Sequence, residues 1–255
     1  IIINAAALKQ VPTCERFPEE AVKTNVNGMI NLINAIQQLD SPPSTVIGIS
    51  TDKASHPVNV MGLTKSLQEK ILISANLKCT KTRFIAVRYG NILASRGSVL
   101  PTFHEQIKRN EPITITDARC TRFFLSLDDA ISVIMYAYEY ANAGEIIVPK
   151  IQACNLLSLA KCLAGKKHLI SQEIGCRPGE KIHEVLVTED ELERTIELDS
   201  FFVISPVLKT LTSSVKAKKP TKAYTSEQYL FSDDELLSFL KRNKMTLEDN
   251  PEFVH

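Results

Sequence analysis

The chain has 255 residues, 44% of them hydrophobic, and a formal net charge of +1. This length fits one large α/β domain or a domain with a smaller lobe. The balanced charge gives no reason to expect a nucleic-acid partner, and no apolar run is long enough to cross a bilayer. The six cysteines are scattered without a C-x-x-C pair. We therefore expect no metal site, and reduced thiols in a cytoplasm.

Strands and helices alternate along the first part of the chain. Apolar periodicity predicts strands at 1–4, 45–49 and 82–87, and helices at 18–38 and 59–77. Such alternation predicts a parallel sheet flanked by helices. The chain opens on an apolar triplet typical of a core strand, and it contains no G-x-G-x-x-G turn. We therefore expect a glycine-rich strand–turn–helix unit upstream of residue 1.

The pattern changes after Asn91, where polar loops separate shorter elements. We predict helices at 99–109, 128–140 and 156–164, strands at 113–116 and 145–148, a turn-rich loop at 175–181 and a solvated linker at 213–224.

The most informative cluster follows the strand at 45–49. Ser50, Thr51, Asp52 and Lys53 stand in sequence at the carboxyl end of that strand. Open parallel sheets bind their ligands at this edge. Met61 and Lys65 follow, four residues apart on the next predicted helix, so both face the same side. The sequence therefore predicts the functional site here.

Several motifs occur together in a fixed order. They are Asn4-Ala-Ala-Ala-Leu-Lys-Gln-Val-Pro, Lys23-Thr-Asn-Val-x-Gly, Ser50-Thr-Asp-Lys-Ala, Val87-Arg-Tyr-Gly-Asn, Ser95-Arg-Gly-Ser-Val, Thr121-Arg-Phe-Phe, Val148-Pro-Lys and Arg177-Pro-Gly-Glu-Lys-x-His-Glu. Over residues 1–206 this order resembles the extended short-chain dehydrogenase/reductases. Within them it is most similar to the nucleotide-sugar 4,6-dehydratases of polysaccharide biosynthesis, specifically the inverting UDP-N-acetylglucosamine 4,6-dehydratases.

Two positions depart from the family pattern. Asn4 stands where the family usually has histidine, and Met61 stands where it often has the tyrosine of a Y-x-x-x-K motif. A thioether can neither donate nor accept a proton in catalysis. The departure therefore puts the usual tyrosine mechanism in doubt, while some branches of the family carry methionine there.

The resemblance implies a Rossmann-like doubly wound parallel sheet, incomplete at the N-terminus, with a smaller C-terminal substrate-binding lobe. We assign 1–95, with parts of 120–150, to a partial NAD(P)-binding domain. We assign 96–206 mainly to the lobe, and 207–255 to a linker and helical tail. The resemblance also implies NADP or NAD as cofactor, a UDP-sugar substrate and a homo-oligomer.

By resemblance, the reaction oxidises sugar C4, eliminates water across C5–C6 and returns hydride to C6. Lys53 is our candidate base and Asp52 our candidate acid, although the same two residues would also form an ordinary ion pair. Thr51 and Ser50 are candidates to bind the sugar O4, or to cap a turn. Lys65 would bind the nicotinamide ribose, and Met61 would pack against the nicotinamide or the core.

Further residues are assigned by the same resemblance. The candidate cofactor-binding residues are Ala5, Lys9, Ser50, Thr51 and Lys65. The candidate substrate-binding residues are Lys9, Asn91, Arg96, Gly97, Ser98, Val99, Thr116, Arg177 and Glu180. The arginines suit a diphosphate because their planar fork donates in pairs. For Arg122 a salt bridge within the lobe is at least as good an interpretation.

Two other functions stay open. A UDP-hexose 4-epimerase would return hydride to C4 without losing water, and it has no need for an acid/base couple at C5 and C6. A cofactor-binding protein without turnover is the third hypothesis, and Met61 is the residue that favours it.

Overall fold

The computed structural model describes residues 1–165, 171–208 and 218–253, so residues 213–217 of the predicted linker lie outside the described residues. The strands are β1 (Ile2–Asn4), β2 (Thr45–Thr51), β3 (Arg83–Tyr89), β4 (Asn91–Ile92), β5 (Ile113–Ile115), β6 (Thr121–Leu125), β7 (Ile146–Pro149), β8 (Ala153–Asn155), β9 (Ser171–Glu173), β10 (Val185–Val187), β11 (Thr195–Glu197), β12 (Phe201–Ile204) and β13 (Tyr224–Thr225). The α-helices are α1 (Val11–Arg16), α2 (Pro18–Ala21), α3 (Gly28–Gln37), α4 (Asp52–Ser55), α5 (Val60–Ser74), α6 (Val99–Lys108), α7 (Leu127–Tyr140), α8 (Leu156–Ala164) and α9 (Asp233–Arg242).

A six-stranded sheet organises the first of two compact units, which comprises Ile1–Tyr89, Ile131–Lys150 and Val185–Tyr224. Its strand order is β1-β2-β3-β7-β12-β11. The first four strands are parallel, and the last two add antiparallel pairings. The central strands are apolar and buried, as expected for a sheet covered on both faces. The predicted Rossmann-like fold is confirmed.

The helix predicted at 18–38 is interrupted. A π-helical segment at Val22–Asn27 separates α2 from α3. Asn25 is buried in that segment, where its side chain accepts from the Leu8 N–H at 2.8 Å and donates to Thr64 Oγ1 at 2.9 Å. The π-helical segment thus lets the Asn25 side chain link the loop after β1 to helix α5 by hydrogen bonds. Apolar spacing alone carries no signal for it.

The buried face of helix α5 carries polar and charged side chains as well as apolar ones. Leu63 and Leu67 are 56% and 49% exposed, whereas Lys65 and Glu69 are only 5% and 7% exposed. The helix lies directly over the sheet, because a Cβ on Gly48 of β2 would collide with the Leu72 side chain. Polar side chains on α5 are thereby held against the carboxyl end of β2.

The second compact unit comprises Gly90–Ala130, Ile151–Glu184 and Thr225–His255. β6 pairs with β4 in parallel and with β8 antiparallel, and β5 pairs with β9 in parallel. The core of this unit includes side chains from α6, α8 and α9, among them Phe103, Leu159 and Phe239.

The compact units divide the chain differently from our expected ranges. Residues 185–206, expected in the lobe, belong to the first unit, and residues 225–255 belong to the second. The reason is that β12 pairs with β7, with Val203 opposite Ile147, and so extends the central sheet. The sequence separation between these strands hid the pairing from local pattern analysis.

Candidate active site

Thr51, Asp52 and Lys53 form one hydrogen-bonded group where β2 ends and α4 begins. Lys53 Nζ lies 3.0 Å from Asp52 Oδ1, and Thr51 Oγ1 donates to the same oxygen at 2.8 Å. The Asp52 side chain is fully buried, whereas that of Lys53 is 23% exposed. The amine is therefore the accessible member of the pair, and a proton can pass directly between the two groups. An ion pair and an acid/base couple share this geometry.

The backbone that carries this group is tightly held. Ser55 Oγ donates to Asp52 O at 2.8 Å and also to Val185 O. Asn59 caps α5 by accepting from the Gly62 N–H at 2.8 Å. A Cβ on Gly62 would lie 2.5 Å from Lys53 O, so only glycine permits α5 to begin this close to Lys53. The backbone of Lys53 is thus fixed, and its amine is held by Asp52.

Met61 and Lys65 both face the interior of the first unit, as their spacing predicted. Met61 packs with Cys14 and Ala21. Lys65 Nζ donates to Ile49 O at 2.6 Å and to Gln68 Oε1. Burial lowers the pKa of Lys65 to about 8, although the Glu69 charge opposes the change. Lys65 is therefore a buried amine whose charge changes within reach of neutral pH.

Ser50 is buried and hydrogen-bonded within the first unit. Successive strand residues point to opposite faces, so Ser50 and Thr51 do not share a ligand. Ser50 is 5% exposed, and its Oγ donates to Glu69 Oε2 at 2.7 Å. The structure engages the Ser50 proton with an internal carboxylate, and the assignment of Ser50 to cofactor or sugar stays a prediction.

A buried charge network lies behind Ser50, and the sequence analysis missed it. Arg88 is 1% exposed; its Nη2 lies 2.7 Å from Glu69 Oε1 and its Nη1 lies 2.8 Å from Glu191 Oε2. Burial by itself would lower the pKa of Arg88, but the two carboxylates raise it well above its ordinary value. The available signal was an arginine directly after the apolar run 84–87 of β3, because arginine is almost never buried without partners.

The residues predicted to meet the cofactor at β1 are open to solvent. Ala5 and Lys9 follow β1 and are exposed. Asn4 Oδ1 accepts from the Ala6 N–H at 3.2 Å, which shapes the turn out of the strand. A small exposed residue at the carboxyl end of a parallel strand leaves room for a ligand to approach the backbone, so this edge fits a dinucleotide.

Three of the predicted substrate residues meet in the second unit. Glu180 Oε1 accepts from Thr116 Oγ1 at 3.0 Å and from Arg122 Nη2 at 2.8 Å, while its Oε2 accepts from the Arg177 N–H at 3.1 Å. The Arg177 side chain is exposed. Arg122 forms the salt bridge that was one of its two interpretations. Glu180 is thus oriented from three sides and keeps acceptor capacity for a further donor.

The segment from Asn91 to Val99 presents unsatisfied polar groups. Asn91 Oδ1 and Ser98 Oγ are shielded from solvent and have no hydrogen-bond partner among the described residues. Arg96 and Gly97 are exposed, and Gly97 has φ 71°. Ser98 precedes α6 without capping it by its side chain, and Val99 begins that helix. Exposed N–H groups at a helix start suit an anion such as a diphosphate.

His183 lies among hydroxyl and carboxylate groups. Its Nδ1 is 2.8 Å from Thr121 Oγ1, and its Nε2 is 3.3 Å from Glu227 Oε2. Across the described ranges 1–165, 171–208 and 218–253, no three His, Cys, Asp or Glu residues cluster as metal ligands would. Over the same ranges, no helix combines the length and hydropathy that a bilayer span needs.

Comparison with known proteins gives the family. Residues 1–206 match the family described as "Polysaccharide biosynthesis protein", and the chain belongs to that family. It is similar to a UDP-glucose 4-epimerase of Rickettsia bellii, with 44% identity over 209 residues, 80% of this chain and 60% of the relative. It is also similar to an inverting UDP-N-acetylglucosamine 4,6-dehydratase of Campylobacter jejuni, with 40% identity over 211 residues, 82% of this chain and 62% of the relative. The chain thus spans about 60% of the length of these relatives.

Solved structures extend the comparison to the fold. Pen from Bacillus thuringiensis superposes with a TM-score of 0.86 at 34% identity, covering 95% of this chain and 75% of that one. A dTDP-glucose 4,6-dehydratase from Streptomyces venezuelae, solved with NAD bound, superposes with a TM-score of 0.64 at 16% identity, covering 71% and 62% of the two chains. The fold shared with these structures is the predicted one, and the family match over residues 1–206 agrees with the predicted resemblance to the extended short-chain dehydrogenase/reductases.

Proposed function

We propose that the full-length protein is a UDP-N-acetylglucosamine 4,6-dehydratase that uses NADP or NAD and serves polysaccharide biosynthesis. The observation that carries this proposal is the contact between Lys53 Nζ and Asp52 Oδ1 at the carboxyl end of β2. The elimination step needs a base at C5 and an acid at the C6 hydroxyl, and the couple offers both at one place. The family and the Campylobacter relative support the same reaction class.

The cofactor, when bound, supplies the hydride chemistry of C4 oxidation and C6 reduction. Lys65 is the residue of this chain that would hold the nicotinamide ribose, and Ala5 and Lys9 would lie along the dinucleotide. The small, exposed Ala5 at the end of β1 is compatible with that approach. Met61 would pack against the nicotinamide without transferring a proton.

Lys53 would remove the C5 proton once the ketone at C4 has made that proton acidic. The accessible amine suits this role, while the buried Asp52 carboxyl would deliver a proton to the departing C6 hydroxyl. Thr51 donates to Asp52 Oδ1, so it would orient the carboxyl and present its own oxygen to O4. Lys53 would gain one proton and Asp52 would lose one, so the net charge of the pair would not change.

Recognition of the UDP moiety falls to residues of the second unit. Arg177 and Arg96 would bind the diphosphate, with donors from Gly97, Ser98 and Val99. Ser98 Oγ supports this role, because a shielded hydroxyl without a protein partner can donate to a phosphate oxygen, while Asn91 Oδ1 could accept from a hydroxyl or N–H of the UDP-sugar. Glu180 would accept from the uridine ribose, and Thr116 would face the uracil.

A UDP-hexose 4-epimerase is the second candidate. The observation that favours it is the 44% identity with a relative named UDP-glucose 4-epimerase. An epimerase returns hydride to C4 and releases no water, so it does not require the Asp52–Lys53 couple. The two functions differ in product: a 4-keto-6-deoxy sugar or a C4 epimer. Cofactor binding without turnover is the third candidate, and it predicts neither product.

Replacement of the candidate base tests the proposal. In the full-length protein, Lys53→Ala should lower the rate of 4-keto-6-deoxy product formation about 100- to 10,000-fold, the range typical of losing a general base. Binding of UDP should stay within about twofold, because Lys53 is not among the diphosphate donors. Lys70→Ala is the matched control, since Lys70 is exposed on α5. Product formation by Lys53→Ala at the rate of the control would refute the base assignment.

Self-association and a cytoplasmic location stay predictions. Leu63 and Leu67 are exposed apolar side chains of α5 that are available to a second copy. Light scattering after size-exclusion chromatography of the full-length protein measures the oligomeric state, and fractionation of expressing cells measures the location.

A further inference from the structure

Glu69 is held in one orientation by contacts to both of its carboxylate oxygens. Oε1 lies 2.7 Å from Arg88 Nη2, and Oε2 accepts from Arg88 Nε at 3.2 Å and from Ser50 Oγ at 2.7 Å. Two parallel donations from one guanidinium fix geometry as well as charge. Glu69 therefore cannot turn toward another partner without breaking a buried ion pair.

Arg88 is in turn held from the side opposite Glu69. Glu191 accepts from Arg88 Nη1 at 2.8 Å and Nη2 at 3.0 Å, and Leu186 O accepts from Nη1 at 2.9 Å. Glu191 also accepts from Arg194 Nη2 at 3.0 Å and closes the capping box with Thr188. The network thus runs from a turn near residue 190 to the carboxyl end of β2.

Lys65 and Glu69 border the same small cavity. Its lining includes Ser50, Lys65, Gln68 and Glu69, with Met29 and Leu72 on the apolar side. The space is about the size of one water molecule. The Lys65 amine and the Glu69 carboxylate, one helical turn apart, therefore act on each other across little solvent.

Other charged groups near α5 are already engaged. The Asp52–Lys53 pair on α4 is mutually bonded, and Glu15 of α1 accepts from the Val60 N–H at 2.7 Å. Glu20 of α2 pairs with Lys23. Arg88 and Arg194 are balanced mainly by Glu69 and Glu191. Glu69 is the carboxylate whose charge acts on the Lys65 pKa, and it opposes the lowering that burial causes.

We propose that Glu69 is a positioning residue that keeps Lys65 protonated, and that Arg88 and Glu191 hold Glu69 in the orientation this requires. The inference deepens the proposed function, because Lys65 is the residue assigned to the nicotinamide ribose. The catalytic group stays Lys65; Glu69 acts only through it.

The test reads the charge of Lys65 directly and needs no turnover. Full-length protein is labelled with trace acetic anhydride from pH 6 to 10.5, and mass spectrometry measures the acetylated fraction of Lys65. Glu69→Gln removes the charge at nearly constant shape and should move the Lys65 midpoint down by roughly one pH unit or more. Ser50→Ala, the matched control, removes one hydrogen bond to Glu69 without changing charge, and its midpoint should lie within about 0.3 unit of wild type.

A second variant covers the case in which Glu69→Gln does not fold. Glu69→Asp keeps the charge but withdraws it by one methylene, so its midpoint should fall between those of wild type and Glu69→Gln. An unchanged Lys65 midpoint in whichever variant folds overturns the inference, whether or not the protein is a dehydratase. If the enzyme is active, the alkaline limb of its pH–rate profile, which reports the loss of the Lys65 proton, should move in the same direction as the labelling midpoint. A dehydratase assay that finds no product leaves the labelling result intact, so the two proposals fail separately.

Discussion

The two regions that carry the candidate site residues differ in the burial and hydrogen bonding of their polar groups. In the first unit, Lys65, Glu69 and Arg88 are at most 7% exposed; Arg88 pairs with Glu69, and Lys65 donates to Ile49 O. In the second unit, Arg96 and Arg177 are exposed, and shielded oxygens of Asn91 and Ser98 have no partner among the described residues. We infer that the charged groups assigned to the cofactor side of the site are fixed before the substrate arrives, because a preorganised site needs no rearrangement during the reaction. The groups assigned to anion binding stay exposed and would be ordered when the anion binds.

Removal of Arg88 should give the largest loss of unfolding free energy. A small loss would contradict the difference between the two regions. Arg88→Met leaves Glu69 and Glu191 as buried carboxylates without their cation, which typically costs about 3–5 kcal/mol of unfolding free energy. Arg96→Met in the second unit should change it by less than about 0.5 kcal/mol. Urea unfolding followed by circular dichroism measures both. Equal losses in the two variants would mean that the first region is no more preorganised than the second.

The burial of Lys65 in the first unit predicts a pH-dependent change in the unfolding free energy. Its pKa is about 8 in the folded protein against 10.5 for the free side chain, because burial disfavours the ammonium. Between these values the unfolded chain binds more protons, so stability rises with pH. Relative to Lys65→Met, the wild type should therefore gain on the order of 3 kcal/mol between pH 7.5 and 10.5. Unfolding curves at each pH measure the gain, and a flat difference would contradict the buried amine.

The closeness of α5 to Lys53 predicts a smaller effect. Gly62→Ala places a Cβ 2.5 Å from Lys53 O, and such overpacking costs about 1–3 kcal/mol. Gly28→Ala is the control, since its Cβ meets only Lys23 O at 3.8 Å. Because alanine favours helix, that variant should be neutral or up to about 1 kcal/mol more stable. Thermal unfolding ranks the two, and a Gly62→Ala protein as stable as Gly28→Ala would show that α5 is not held against Lys53.

Replacement of the exposed Arg177 in the second unit should have the smallest effect on the unfolding free energy and a measurable effect on UDP binding. Arg177→Ala should weaken UDP binding about tenfold, equivalent to about 1.4 kcal/mol, with unchanged unfolding free energy. Arg119→Ala is the control, because Arg119 is also exposed but already pairs with Asp117 at 2.7 Å. Titration calorimetry with UDP compares them. Equal affinity of Arg177→Ala and the control would remove Arg177 from the diphosphate site.

The fold and the Thr51–Asp52–Lys53 group were predictable because their signals are local. Apolar runs marked β2 and β3, and the polar residues that follow β2 marked the edge of the sheet. The buried network was not predictable, since Arg88 meets Glu69 and Glu191 from 19 and 103 residues away. The same non-local pairing put β12 beside β7. The exposure of Leu63 and Leu67 on α5 was likewise not predictable, because leucines normally mark the buried side of a helix.

The most direct test of the central claim is the fate of the substrate in deuterated water. Full-length protein is incubated with UDP-N-acetylglucosamine and NADP in D₂O, and the product is analysed by NMR and mass spectrometry. If Asp52 and Lys53 act as the acid/base couple, the product is a 4-keto-6-deoxy sugar that carries solvent deuterium at C5. Lys53→Ala should then form little or none of this product. A C4 epimer without deuterium at C5, formed equally by wild type and Lys53→Ala, would contradict the account.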